Sequence, residues 1–150
     1  MLLLSGKVVK ARWKLPKQSG LANSKYNNPT KILVVEDDPD LLNELCEIIE
    51  SDNRDVVACP SPLFALRYLH INRLDVLITD YRMPVLDGVQ LARVVLEIYP
   101  DTHVVIMSGL PVRTMIPDTW YFMNKPIDIR QLESHLDTRK NPSSENVTGS

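Results

Sequence analysis

Five short apolar runs, separated by stretches of helical periodicity, constrain this chain more than any other feature. They fall near residues 31–36, 55–59, 75–80, 103–107 and 120–124. Each is apolar at consecutive positions rather than alternate ones, as strands are when both faces of their sheet are covered. The intervening segments carry helix start signals. Asp38-Pro39 joins a capping side chain to a first-turn proline, and Leu41, Leu42, Leu45, Ile48 and Ile49 then recur at helical spacing. Ser61-Pro62 repeats the signal ahead of Leu63, Leu66, Tyr68 and Leu69, and Asp87-Gly88 precedes a helical pattern over residues 89–99. Asp128 with Gln131 three residues on predicts a capping box for a last helix ending near Thr138. Strands and helices in strict alternation predict an α/β fold, a doubly wound parallel sheet of five strands.

Ligands in such sheets bind outside the carboxyl ends of the strands. Those ends are polar here. Ile32-Leu33-Val34-Val35 runs into Glu36-Asp37-Asp38, and Val76-Leu77-Ile78-Thr79 into Asp80. Val104-Val105-Ile106-Met107 ends in Ser108-Gly109, and Trp120-Tyr121-Phe122-Met123-Asn124 in Lys125-Pro126. Carboxylates gathered in one crevice repel one another unless a cation sits among them, and all-oxygen ligation suits Mg2+. An ammonium would pair with a carboxylate or a phosphoryl oxygen, and a hydroxyl would donate to another oxygen.

Taken together, the acid pair Glu36-Asp37, the segment Asp80-Tyr81-Arg82-Met83-Pro84 with Asp87-Gly88, then Ser108-Gly109 and Lys125-Pro126 resemble the receiver domain of bacterial two-component response regulators. The resemblance runs from Thr30 to Lys140, between an extension at residues 1–29 and a tail at 141–150. It implies a flavodoxin-like sheet of strand order 2-1-3-4-5. It also implies that Asp80 is the phosphoacceptor, taking a phosphoryl group from a sensor histidine kinase or a histidine phosphotransfer protein. Asp37 would ligate Mg2+ directly, Glu36 mainly through metal-bound water, and the Arg82 backbone carbonyl would supply a further ligand. Ser108 and Lys125 would receive the phosphoryl group, Gly109 would leave it room, and Phe122 stands where the family has its switch aromatic. Pro126 would follow a cis bond.

Each feature also has a plainer reading. Asp38 is best read as a helix cap, and Asp87-Gly88 as the turn that opens a helix. Ser108 before glycine by itself marks a loop, Lys125 a solvated surface, and Phe122 an ordinary core residue. His70, His103 and His135 lack metal-ligand spacing and read as incidental. Six of the 17 basic residues and none of the 19 acidic ones fall within residues 1–30. The acidic remainder argues against direct nucleic-acid binding. Residues 1–29 therefore read as a flexible basic extension, with a short strand near Lys7–Trp13, and residues 141–150 as a disordered tail. Cys46 and Cys59 read as reduced, packed thiols, and no apolar run approaches membrane-spanning length, so a cytoplasmic protein is expected.

Two departures from the family matter. Ser108 and Lys125 are 17 positions apart, short for a helix plus a strand, and Pro111 and Pro117 confine any helix to residues 112–116. The helix that relatives place there is expected to be one turn or a loop. That removes a common output surface, so signalling is expected through another face, by contact with an unidentified protein effector and with a homodimer still compatible. Too few residues follow Lys140 for an output module, so the chain reads as a stand-alone regulator or as a fragment of a hybrid kinase. A phosphorylation-independent binding module is the alternative. A Mg2+-dependent phosphatase fits less well, because Arg82 stands where a second carboxylate would be expected.

Overall fold

The computed structural model describes residues 28–70 and 73–138. The basic extension, with its short strand near Lys7–Trp13, lies outside them apart from Asn28 and Pro29, and so does the tail at 141–150. Five strands form one sheet: β1 (Thr30–Val35), β2 (Arg54–Cys59), β3 (Val76–Asp80), β4 (His103–Ser108) and β5 (Tyr121–Asn124). All neighbours are parallel, and the order is β2-β1-β3-β4-β5, as the family resemblance implied. Four helices connect or follow them: α1 (Pro39–Ile49), α2 (Pro62–Tyr68), α3 (Gly88–Ile98) and α4 (Ile129–Thr138).

The continuous apolar runs have the cause proposed for them. Successive strand residues point to opposite faces, and helices cover both. Ile32, Val34, Ile78, Val105, Met107 and Met123 pack with Leu42, Leu45 and Ile49 of α1 and with Leu132 and Leu136 of α4. On the other face Leu33, Val35, Leu77, Val104 and Ile106 meet Ala65 of α2 and Leu91, Ala92 and Val95 of α3. Cys59 is buried on that second face and Cys46 partly buried on the first; burial pushes both thiols up to about 12, so they are protonated and inert as nucleophiles.

The helices begin where their side chains cap them. Asp38 accepts from the Asp40 and Leu41 N–H groups at 3.0 and 3.2 Å, and Ser61 accepts from Phe64 N–H at 3.2 Å. Asp87 and Gln90 form a reciprocal capping box, with bonds of 2.7 and 3.0 Å. Asp128 accepts from Gln131 N–H at 3.2 Å, the half of the predicted box that starts α4. Each cap satisfies N–H donors that the first turn leaves without helical partners.

Between β4 and β5 the chain makes a single 3-10 turn, Arg113–Met115, flanked by Pro111 and Pro117. Val112 and Ile116 are buried and anchor the segment in the α2/α3 core. Arg113 fastens it by donating to the Ile116 carbonyl at 3.1 Å and pairing with Asp118 at 3.2 Å. The Lys125-Pro126 bond is cis. Among the described residues no helix is long and apolar enough to cross a membrane.

Candidate active site

The site is built from chain segments that the sheet order makes neighbours. β1 and β3 are adjacent, with Val35 opposite Thr79, so Glu36 and Asp37 leave β1 beside Asp80 at the end of β3. Carboxylate oxygens of Glu36, Asp37 and Asp80 all lie within 4.8 Å of one another. Ser108 ends β4 opposite Asn124, which delivers Lys125 just past β5. The Lys125 Nζ stands 2.8 Å from Glu36 Oε2 and 3.1 Å from Asp80 Oδ1.

Burial differs sharply across the three acids. Glu36 is 1% exposed and Asp80 7%, whereas Asp37 is exposed. Glu36 has both oxygens engaged: Oε1 accepts from Asp38 N–H at 3.1 Å and Oε2 from Lys125. Desolvation raises the Asp80 carboxyl above its ordinary range; the Lys125 ammonium opposes this and the Asp37 charge reinforces it. Glu36 is raised for the same first reason, against bonds from Lys125 and Asp38 N–H, with the Asp80 charge adding to the rise. Burial alone would lower Lys125, but Glu36 and Asp80 outweigh it and hold the ammonium above its usual value. One ammonium thus faces two buried acids and a third at the rim. Three converging oxygen donors, surplus negative charge and an open side at Asp37 fit a hard divalent cation such as Mg2+.

The other expected residues take distinct places. Ser108 is buried, and its Oγ accepts from Leu110 N–H at 3.0 Å. Arg82 is exposed in the loop that leaves β3. Phe122 is half-buried against the α2/α3 core. A β-carbon on Gly109 would meet nothing closer than Lys125 Cβ at 4.0 Å, so the floor there is open.

Two further residues shape the site. Gly88 was read only as the turn before a helix, yet a β-carbon there would lie 2.2 Å from the Asp80 carbonyl oxygen. Its N–H also donates to the Tyr81 carbonyl at 2.8 Å, so α3 starts in direct contact with the end of β3. The glycine in the Asp87-Gly88 pair was the available signal. Val85, exposed and with φ of 75°, sits where Leu86 N–H donates to the Pro84 carbonyl at 3.0 Å. This is a tight three-residue turn, strained for a β-branched residue. Nothing in the sequence announced it.

Fold and site together define a response regulator receiver domain, and the model of that family matches residues 32–137. The chain belongs to this family, a signalling module of two-component systems. It is 31% identical over 119 residues to the transcriptional regulatory protein GlrR of Escherichia coli (strain K12), covering 74% of this chain but 26% of GlrR. It is 29% identical over 112 residues to the response regulator receiver protein CpdR of Brucella abortus (strain 2308), covering 71% of this chain and 93% of CpdR. A response regulator receiver domain protein from Clostridium thermocellum superposes with a TM-score of 0.65 at 26% identity, covering 74% of this chain and 96% of that one.

Proposed function

We propose that Asp80 accepts a phosphoryl group from a phosphohistidine on a sensor histidine kinase or a histidine phosphotransfer protein. One observation carries the reading: a buried carboxylate, 3.1 Å from an ammonium, shares a cluster of oxygen donors with Glu36 and Asp37. In the transfer an Asp80 oxygen forms the new O–P bond as the P–N bond breaks. The imidazole leaves with the electron pair and takes up a proton. The product is an acyl phosphate on Asp80, a covalent intermediate kept as a signal.

Each residue has a part set by its surroundings. Lys125 holds Asp80 in place and turns to the transferred group, whose equatorial oxygens need charge neutralisation. Ser108 keeps its hydroxyl proton, since its Oγ acts as acceptor toward Leu110, and can donate it to a phosphoryl oxygen. Asp37 at the open rim would hold Mg2+ directly, with Asp80 and the Arg82 carbonyl. Glu36, with both oxygens already engaged by Asp38 N–H and Lys125, would contribute its charge to a bound cation indirectly. Bound Mg2+ supplies charge neutralisation and orientation for the incoming group. Phe122 responds as the switch aromatic, and the output is contact with a protein effector rather than with nucleic acid. The 3-10 turn between β4 and β5 leaves little of the usual output face there, so the α1/α4 side is the proposed contact surface. The setting is the cytoplasm.

The test is incubation with Mg2+ and acetyl phosphate, read by intact mass. Wild type should gain one phosphoryl group, Asp80→Asn none, and beryllofluoride should block the reaction. Failure of wild type to react, or equal modification of Asp80→Asn, removes the reading. Alanine at the exposed Leu110, Thr114 and Met115 should leave both phosphorylation and downstream signalling intact.

A further inference from the structure

At the opposite end of the sheet, two histidines read as incidental in the sequence meet. His103 opens β4 and His135 lies in the last turns of α4, 32 positions apart, and their Nε2 atoms are hydrogen-bonded to each other. His103 shares a face with Val105 and Met107, the face that α4 covers through Leu132 and Leu136. Tyr121, the first residue of β5, stacks on His135 with ring centroids 3.6 Å apart and planes 6° from parallel. The His103 ring lies tilted against His135 at 4.7 Å. All three rings are half-buried.

A bond between two imidazole nitrogens requires one proton between them. The neutral pair satisfies this, and so does a singly charged pair with the added proton on an outer Nδ1. A doubly charged pair cannot, because two N–H donors would then face each other. Among the described residues, the charged groups on the surrounding elements have these partners. On α4, Glu133 and Asp137 bind Arg54; at the foot of β3, Asp75 binds Arg73 and Lys31 N–H, and its carbonyl takes the His103 N–H. Asp101 is exposed in the turn before β4, and Tyr121 is the titratable group on β5.

We propose that His103 and His135 form a proton-shared latch that holds α4 against β4 and β5 near neutral pH and releases it in mild acid. Burial lowers the His135 pKa, which acts in the same direction. For a group depressed in the folded state, the unfolded chain binds more protons. Stability is therefore full above the unfolded value of about 6.5 and is lost as pH falls toward the folded one. The latch would tie the rigidity of the α4/β5 surface to acidity, independently of Asp80.

The experiment is denaturant unfolding of the full chain between pH 7.5 and 5, for wild type, His103→Gln and His135→Phe. The phenylalanine retains the stack on Tyr121. Between about pH 6.5 and 5 the wild-type folding constant should fall more steeply than that of either variant, by up to about tenfold per pH unit for one proton. Site carboxylates titrate alike in all three proteins and drop out of the difference. Should a variant fail to fold, ring-proton NMR of wild type decides: the two histidines should titrate in separate steps, one well below the other. Equal pH slopes in the three proteins, or two rings protonating independently at the ordinary value, would overturn the latch.

Discussion

The two ends of the sheet treat their buried polar groups in opposite ways. At the foot, Arg54 has a side chain only 5% exposed, yet its guanidinium donates to the Ile49 carbonyl and pairs with Glu133 and Asp137 at 3.0 and 2.6 Å. Thr102 Oγ donates to the Leu74 carbonyl, and the Tyr99 hydroxyl to the Leu69 carbonyl, each at 2.9 Å. Every one of these contacts joins separate segments of the chain. At the carboxyl ends, Glu36 and Asp80 are as deeply buried but share one ammonium, and both sit above their ordinary range. One end closes its charge internally; the other holds a surplus that a cation and an incoming group can relieve. Burial alone therefore does not mark a functional site. An unbalanced buried charge is the better marker.

The contrast can be broken at either end, and the largest effect is expected at the junction of α3 with β3. Gly88→Ala forces a methyl into the Asp80 carbonyl, which is backbone and cannot swing aside. It should cost about 3 kcal/mol in denaturant unfolding and impair acetyl phosphate labelling of whatever remains folded. At the foot, Arg54→Met should cost about 2 kcal/mol, since it removes a charged donor bonded to three acceptors on α1 and α4. Amide exchange should rise first in α4. Equal protection of α4 in both proteins would show that the ion pairs are not its fastening.

Asp80→Asn should do the reverse and stabilise. The folded-state pKa of Asp80 is raised, so its penalty is absent at low pH, appears as pH rises through the unfolded value of about 3.9, and is complete above the folded one. At pH 7 without Mg2+ the melting midpoint should rise by a few degrees, and added Mg2+ should narrow the gap by stabilising wild type. A lower midpoint for the asparagine variant would contradict the idea of surplus charge. The smallest effect belongs to Val85→Asn, which suits positive φ and should gain about 1 kcal/mol in chemical unfolding.

Much of the fold was legible because its determinants are local. Asp38-Pro39, Ser61-Pro62 and Asp87 announce helices by capping chemistry that acts within one turn. Pro111 and Pro117 announce the lost helix just as directly. The clustering of Glu36, Asp37 and Asp80 was legible as well, because parallel strands in this order align their ends. Contacts set by register rather than by neighbours in sequence were not. Lys125 reaching Glu36 as well as Asp80, Gly88 lying against the Asp80 carbonyl, and His103 meeting His135 each depend on how one element slides along another. No periodicity encodes that offset.

The Lys125–Glu36 ion pair has a consequence for the order in which the molecule becomes competent. It closes a span of 89 residues, from the exit of β1 to the exit of β5. On a growing chain the acids of β1 and β3 emerge well before their ammonium, and loops of that length close late. The finished charge arrangement around Asp80 therefore exists only once β5 has docked. A partly made or misthreaded chain presents a different cluster, lacking its cation, so the site reports on completed folding before it can report on anything else.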